Sequence, residues 1–306
     1  MLERIIFAIV EMFCMFAVGA YAVRLKIIEE IDLNKLSRLV IDVMFPLMAF
    51  HSITRHFDTS NINELWLLPA LGFGMMFFGG LLGYGLRYGM LNRGEGRMET
   101  FHHYCAINNY VFLPLLVLGN VYGHKYMSLL FIMNIGSTVG IWTVGVGLLG
   151  GGSIKGVLKN IFTVNLFAVI IALIVAFSGL PIPGFLDNVF RKIGGAAVPF
   201  MLIIIGAAIY SNGRFLFTSL WDIVYLTAVR LIIIPLIIIG ILRLLPIPEE
   251  VYRVAVVVAI MPVSASSAII TRRFGGNPDF AGQAIIVTTT VSMVTIPLMF
   301  SLFVLG

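Results

Sequence analysis

The chain has 306 residues, 59% of them hydrophobic and 11% charged, with a formal net charge of +5 and a mean hydropathy of +1.02. Soluble domains carry about 25% charged residues, so a soluble globular fold is excluded. The apolar runs are continuous, which excludes the alternating pattern of a membrane β-barrel. The basic residues sit in short loops and follow membrane topology, so the positive charge does not mark a nucleic-acid surface.

Ten spans follow in chain order, each near the ~20 residues that cross a bilayer as a helix. They are approximately Ile5–Val23, Leu36–Ile53, Leu65–Tyr88, Phe101–Gly119, Tyr126–Leu149, Ile161–Gly179, Val189–Tyr210, Leu220–Leu245, Tyr252–Phe274 and Asp279–Leu305. The first run lacks a small-residue cleavage site and is expected to stay as a helix. Cys14 and Cys105 lie in apolar runs and are expected as two inert thiols. Gly79, Gly80, Gly83 and Gly85 are expected to let helices approach closely, and Gly150–Gly152 to form a flexible joint. Twelve Lys and Arg residues, among them Arg93, Arg97, Arg214, Arg272 and Arg273, occupy one set of alternate loops, against seven in the other. With the richer set in the cytoplasm, both termini are outside.

The chain repeats itself weakly. Arg38 precedes Pro46 by eight residues and Arg191 precedes Pro199 by eight; the two prolines are 153 apart (199 − 46), half of 306. Pro114 and Pro262 are separated by a similar 148 (262 − 114). Spans two and seven, and four and nine, therefore read as counterparts. Five spans per half is an odd number, so the halves lie in opposite orientations, an inverted repeat of the kind found in secondary transporters.

The stretch Val257–Ile270, VVAIMPVSASSAII, combines an apolar run with a proline and hydroxyls. Pro262 removes a backbone donor and clashes one turn back, so a helix here breaks or kinks. The freed backbone groups are tolerated in a membrane only inside protein or beside a water-filled cavity. A partner break is expected near Asn108–Pro114. Asn108 and Asn109 bring amides that can donate to a carboxylate without an expensive buried charge, or simply bond neighbouring helices. Ser264, Ser266 and Ser267, with Val263 between them and Pro262, offer hydroxyls to a solute or to their own helix.

Four further residues are candidates for a charge, coupling-ion or path-lining role. Arg230, well inside span eight, attracts an anion, neutralises a buried carboxylate, or snorkels to one face. Asp42 and Glu11 are intramembrane carboxylates, either ion sites or fixed partners of basic groups. Asp42 stands four residues before Pro46, which favours a structural role. Gln283 belongs to the polar face of span ten with Thr288, Thr289, Thr290, Ser292 and Thr295, which lines a path or packs against the breaks. His51 is expected at the interface, and Asp279 as a helix cap. No Walker sequence, zinc-ligand spacing or obvious Ser/His/Asp arrangement points to an enzyme, and no cofactor is implied.

The segment AIMPVSASSAIITRRFGGNPDFAGQAIIVTTTVSMVTIPLM resembles the C-terminal signature of the auxin efflux carrier family. LVIDVMFPLMAF, NNYVFLPLLVLGNVYG, GGAAVPFMLIIIGAAI and RLIIIPL resemble its second, fourth, seventh and eighth helices. The resemblance covers nearly the full length. It implies an all-α membrane protein of ten helices in two inverted five-helix repeats, 1–152 and 153–306, with broken, crossing fourth and ninth helices. Spans one, two, six and seven would form a scaffold and dimer surface, the rest a moving transport unit. It implies a plasma-membrane carrier of a small organic anion, a mono- or dicarboxylate or an auxin-like acid, working by alternating access as a homodimer. The bile-acid sodium symporters share this fold, which leaves proton or sodium coupling open and makes a sodium-coupled carrier of larger anions the alternative within transport. A channel or a membrane sensor is the alternative outside it. One departure concerns the site. The family commonly places its fourth-helix proline seven residues after the asparagine, whereas Pro114 follows Asn109 by five and Asn108 by six, so either asparagine could be the carboxylate-binding one.

Overall fold

The computed structural model describes residues 2–57, 66–151, 154–212 and 219–304. Leu65 at the expected start of span three, Gly152 of the joint and Arg214 of the basic loops lie outside the described residues. The first helix, α1 (Leu2–Arg24), is followed by α2 (Glu30–Leu39), which runs through a π-helical turn, Val40–Met44, into α3 (Phe45–His56). Pro46 accounts for that turn. Its ring clashes with the carbonyl four residues back and it lacks an N–H, so the ladder widens for one turn before the proline. Next come α4 (Leu67–Leu86), α5 (Arg97–Ala106), α6 (Phe112–Tyr122) and α7 (His124–Gly140). A second π-helical turn, Ile141–Gly145, joins α7 to the short α8 (Val146–Leu148).

The second half begins with α9 (Ile154–Ile161) and α10 (Val164–Ser178), the latter capped by Thr163, whose hydroxyl accepts from the Leu166 N–H at 3.2 Å. α11 (Gly184–Gly195) and α12 (Ala197–Asn212) follow, with Pro199 in the first turn of α12, where a missing N–H costs nothing. α13 (Leu220–Ala228) passes through a third π-helical turn, Val229–Ile233, into α14 (Ile234–Leu244), again just before a proline, Pro235. α15 (Glu249–Ala259), α16 (Ser267–Arg273) and α17 (Pro278–Phe303) complete the chain. The cap of α17 is Asn277, which accepts from the Phe280 N–H at 2.9 Å; Asp279 lies inside the first turn instead. Pro278 holds the first helical position, so the side chain before it does the capping.

Among the described residues, seven helical stretches are long and apolar enough to cross a bilayer, against the ten spans expected. The difference falls on spans four, six and nine. Span four is divided into α5 and α6, span nine into α15 and α16, and α10 has 15 residues. Such pieces are about 10–23 Å long at 1.5 Å per residue, short of a ~30 Å hydrocarbon core.

Small residues set the packing. α1 lies along α12, where a Cβ on Gly19 would come within 1.9 Å of the Ile203 carbonyl and one on Gly206 within 2.2 Å of the Phe16 carbonyl. α4 lies along α7 with the same device: a Cβ on Gly136 would sit 1.8 Å from the Pro69 carbonyl. Backbones this close gain dispersion contacts that lipid cannot supply. Gly79, Gly80 and Gly83 face close neighbours on α5 and α8, as expected, but Gly85 faces open space. α3 rests on α10 and α11. Cys14 is exposed and Cys105 buried, both as free thiols.

Candidate functional site

The chain is interrupted twice, and the two interruptions meet. Between α5 and α6, residues 107–111 leave the helical path; between α15 and α16, residues 260–266 do the same. Asn108 and Val263 form an antiparallel β-bridge, and the Asn109 N–H donates to the Pro262 carbonyl at 2.8 Å. Backbone groups freed from two helices thus satisfy each other, as a low-dielectric surround requires. α5 and α15 end 153 residues apart (259 − 106), the same offset as Pro46 and Pro199. The two prolines are not equivalent, however. Pro262 lies inside its break, whereas Pro114 is the third residue of α6 and follows the break. In that first turn its missing N–H would have had no helical partner.

The C-terminal ends of the two interrupted helices are closed by side chains. The Asn108 amide donates to the Val258 carbonyl, one residue from the end of α15. Arg230 is 2% exposed and lies in the π-helical turn of span eight. Its guanidinium donates to the Ala259 carbonyl at 2.9 Å, to Met261 at 3.2 Å and, from its other arm, to Cys105 at 3.2 Å. One cation therefore serves the carbonyl ends of both α15 and α5, where the aligned peptide dipoles place partial negative charge. Arg230 neither snorkels nor meets a carboxylate among its described partners.

The other side of the meeting point is open. A cavity of about 210 Å³ lies there, bounded by Asn109, Tyr110, Val111 and Phe112 from the first break and by Ser264 and Ser266 from the second. α7 contributes Asn134 and Thr138, the π-helical turn after it Trp142, α10 contributes Asn165, and Ile41 and Phe45 close it from the α2–α3 side. Among the described residues the lining has no charged side chain. Its polar groups are amides and hydroxyls, set among aromatic and aliphatic walls, and the N-terminal turn of α6 opens onto it. Several of these groups are unspent. Neither atom of the buried Asn134 amide has a hydrogen-bond partner among the described residues, and the same holds for the Asn165 carbonyl oxygen. The Asn109 side-chain oxygen accepts only a long bond, 3.5 Å, from the Leu113 N–H. Ser264 and Ser266 bond each other at 2.8 Å.

The structure thus separates residues that the sequence groups together. Asn109, Ser264 and Ser266 face the cavity. Asn108, Pro114, Pro262, Val263 and Ser267 do not line it, although they shape the backbone around it. Ser267 is fully buried, with its hydroxyl unpartnered. Gln283 is buried in α17 and absent from the lining. Thr288 and Ser292 of the same helix bond their own backbone, at 2.7 and 2.6 Å. Asp42 pairs with Arg38 at 3.5 Å on an exposed face, the fixed-partner arrangement. Glu11 accepts from the Asn120 amide at 3.2 Å. His51 meets Asp187 at 2.9 Å beside Arg55 near the end of α3. Asn134 and Asn165 were legible as amides inside apolar runs, but without a proline beside them nothing in one sequence sets them apart.

The model of the family described as "Membrane transport protein" matches residues 4–153 and 152–300. An uncharacterized transporter of Methanothermobacter thermautotrophicus is 29% identical over 279 residues, 90% of each chain. An uncharacterized transporter of Methanocaldococcus jannaschii is 23% identical over 288 residues, 92% of this chain and 93% of its own. This multi-pass membrane protein belongs to the membrane transport protein family, that of the auxin efflux carriers.

Proposed function

We propose that the chain is a secondary active transporter of a small organic anion, and that the solute's carboxylate binds in the cavity where the two breaks meet. The observation that carries this reading is a set of neutral amides and hydroxyls around one small cavity, with the Asn134 amide nitrogen an unpartnered donor among the described residues. Amides and hydroxyls can bind a carboxylate without the desolvation cost of a buried cation, and the N-terminal turn of α6 adds a favourable dipole. The Asn109 and Asn134 amides receive the carboxylate, and the Trp142, Tyr110 and Phe45 walls hold the apolar remainder. A cavity of about 210 Å³ is smaller than the ~300–1,000 Å³ of drug-sized sites, which favours a small acid over the bulky anions of sodium symporters.

Alternating access completes the proposal. The ten spans form two inverted five-helix repeats, 1–152 and 153–306, crossing at the breaks. Spans one, two, six and seven form a scaffold, which the packing of α1 on α12 and of α3 on α10 and α11 supports. The cavity then lies between that scaffold, through Ile41, Phe45 and Asn165, and a moving unit that carries both breaks. Motion of one body past the other exposes the site to each face in turn.

The test is a thermal-shift screen of small mono- and dicarboxylates on purified protein, followed by counterflow in proteoliposomes. At least one acid is expected to stabilise the protein, to show saturable counterflow, and to lose both effects in Asn109→Ala. A panel in which no acid binds, or flux that never saturates, rejects a carrier of this kind.

A further inference from the structure

The buried charges of the protein do not balance. Leaving histidines aside, three charged side chains are buried among the described residues: Arg97, Asp222 and Arg230. The first two cancel. The Asp222 carboxylate accepts from Arg97 at 3.3 Å and from the Leu91 and Asn92 N–H groups at 2.8 and 3.2 Å, joining α13 to the start of α5 and the loop before it. Among the described residues, Arg230 is left with carbonyl acceptors alone. Guanidinium stays charged in any protein environment, and a cation inside a membrane is expensive and needs a partner. Carbonyl ends of helices soften this cost with partial charges but cannot neutralise a full one.

That surplus charge stands directly behind the cavity. Arg230 holds the Met261 carbonyl; the next carbonyl, that of Pro262, takes the Asn109 N–H, and Asn109 lines the cavity. We infer that Arg230 is the fixed countercharge of the site: a specificity-determining residue that selects a singly charged anion without touching it. The inference rests on the reading of the cavity as an anion site. With a monoanion bound, the meeting point of the two breaks carries no net formal charge; a neutral solute leaves +1 and a dianion leaves −1. Amides and hydroxyls position the carboxylate, and Arg230 sets the charge that is accepted. A unit charge acting over about 10 Å at an effective dielectric constant of about 20 changes affinity by roughly tenfold or more.

The experiment compares acids with their neutral isosteres, phenylacetate with phenylacetamide and butyrate with butyramide, by titration of purified wild type, Arg230→Lys and Arg230→Gln. Wild type is expected to prefer the acid. Arg230→Gln is expected to weaken the acid roughly tenfold while the amide changes by less than about twofold, because only the charged solute feels the missing charge. Arg230→Lys keeps the charge and is expected to keep the preference. Equal weakening of acid and amide in Arg230→Gln would make Arg230 a scaffold residue only and overturn the countercharge. Should Arg230→Gln fail to fold, Arg230→Lys decides: a folded lysine variant that has lost the acid preference overturns it as well. Wild type that binds neither acid rejects the anion reading of the cavity, and the countercharge with it.

Discussion

The two sides of the meeting point use the same raw material, helix ends in a low-dielectric surround, to opposite effect. On the C-terminal side, side-chain donors reach four carbonyls: Asn108 serves Val258, and Arg230 serves Ala259, Met261 and Cys105. On the N-terminal side donors and acceptors are left over, with Asn134 unpartnered at both amide atoms and Asn165 at its oxygen. Leaving buried polar groups unsatisfied costs about 1–3 kcal/mol each. A protein tolerates that where a solute or water completes the set. Under the proposed function, the closed side serves stability and the open side exchange.

The comparison breaks most visibly at Arg230. Arg230→Met removes the donors of three carbonyls at once and is expected to destabilise by about 3 kcal/mol or more, read as a lower thermal midpoint in detergent; an unchanged midpoint would mean that the closed side is not closed by this residue. Next come the neighbouring asparagines, which should part company. Asn108→Ala leaves the Val258 carbonyl without its side-chain donor and is expected to cost about 1–2 kcal/mol of stability, with affinity for a bound acid held within about threefold in the protein that remains folded. Asn109→Ala should reverse the pattern, with roughly tenfold weaker binding, about 1.4 kcal/mol, and little loss of stability. Identical behaviour of the two variants would erase the distinction between the sides.

Smaller effects sharpen it. Asn134→Leu replaces an unpartnered amide with an apolar group of similar size, so the unliganded protein should be as stable as wild type or slightly more so. Titration with the same acid should show affinity roughly fivefold lower; a stability loss would place a partner on that amide. Asp42→Asn is expected to matter least. Its pairing with Arg38 is exposed, worth about 0–1 kcal/mol, and the sodium and pH dependence of uptake should not change. A changed ion dependence would move the coupling site to Asp42.

Much of this protein is written locally. Its membrane class follows from the scarcity of charge, because a span must be apolar along its whole length wherever it sits in the fold. The neighbourhood of the two interruptions is marked by proline with polar residues nearby: Pro262 lies in its break, and Pro114 follows the other in a first turn, where a missing N–H is spared. Which asparagine faces the cavity is not local. Asn108 and Asn109 are adjacent and chemically identical, and only the bridge to Val263, 155 residues away (263 − 108), turns one amide toward α15 and the other toward the cavity. Arg230 shows the same limit. Sequence places it inside a span, but its acceptors at the ends of α15 and α5, Ala259 and Cys105, are 29 and 125 residues distant. Helix interruptions arise from the chain's own covalent chemistry, whereas the partners that satisfy or leave open the resulting polar groups are assigned only when distant segments pack.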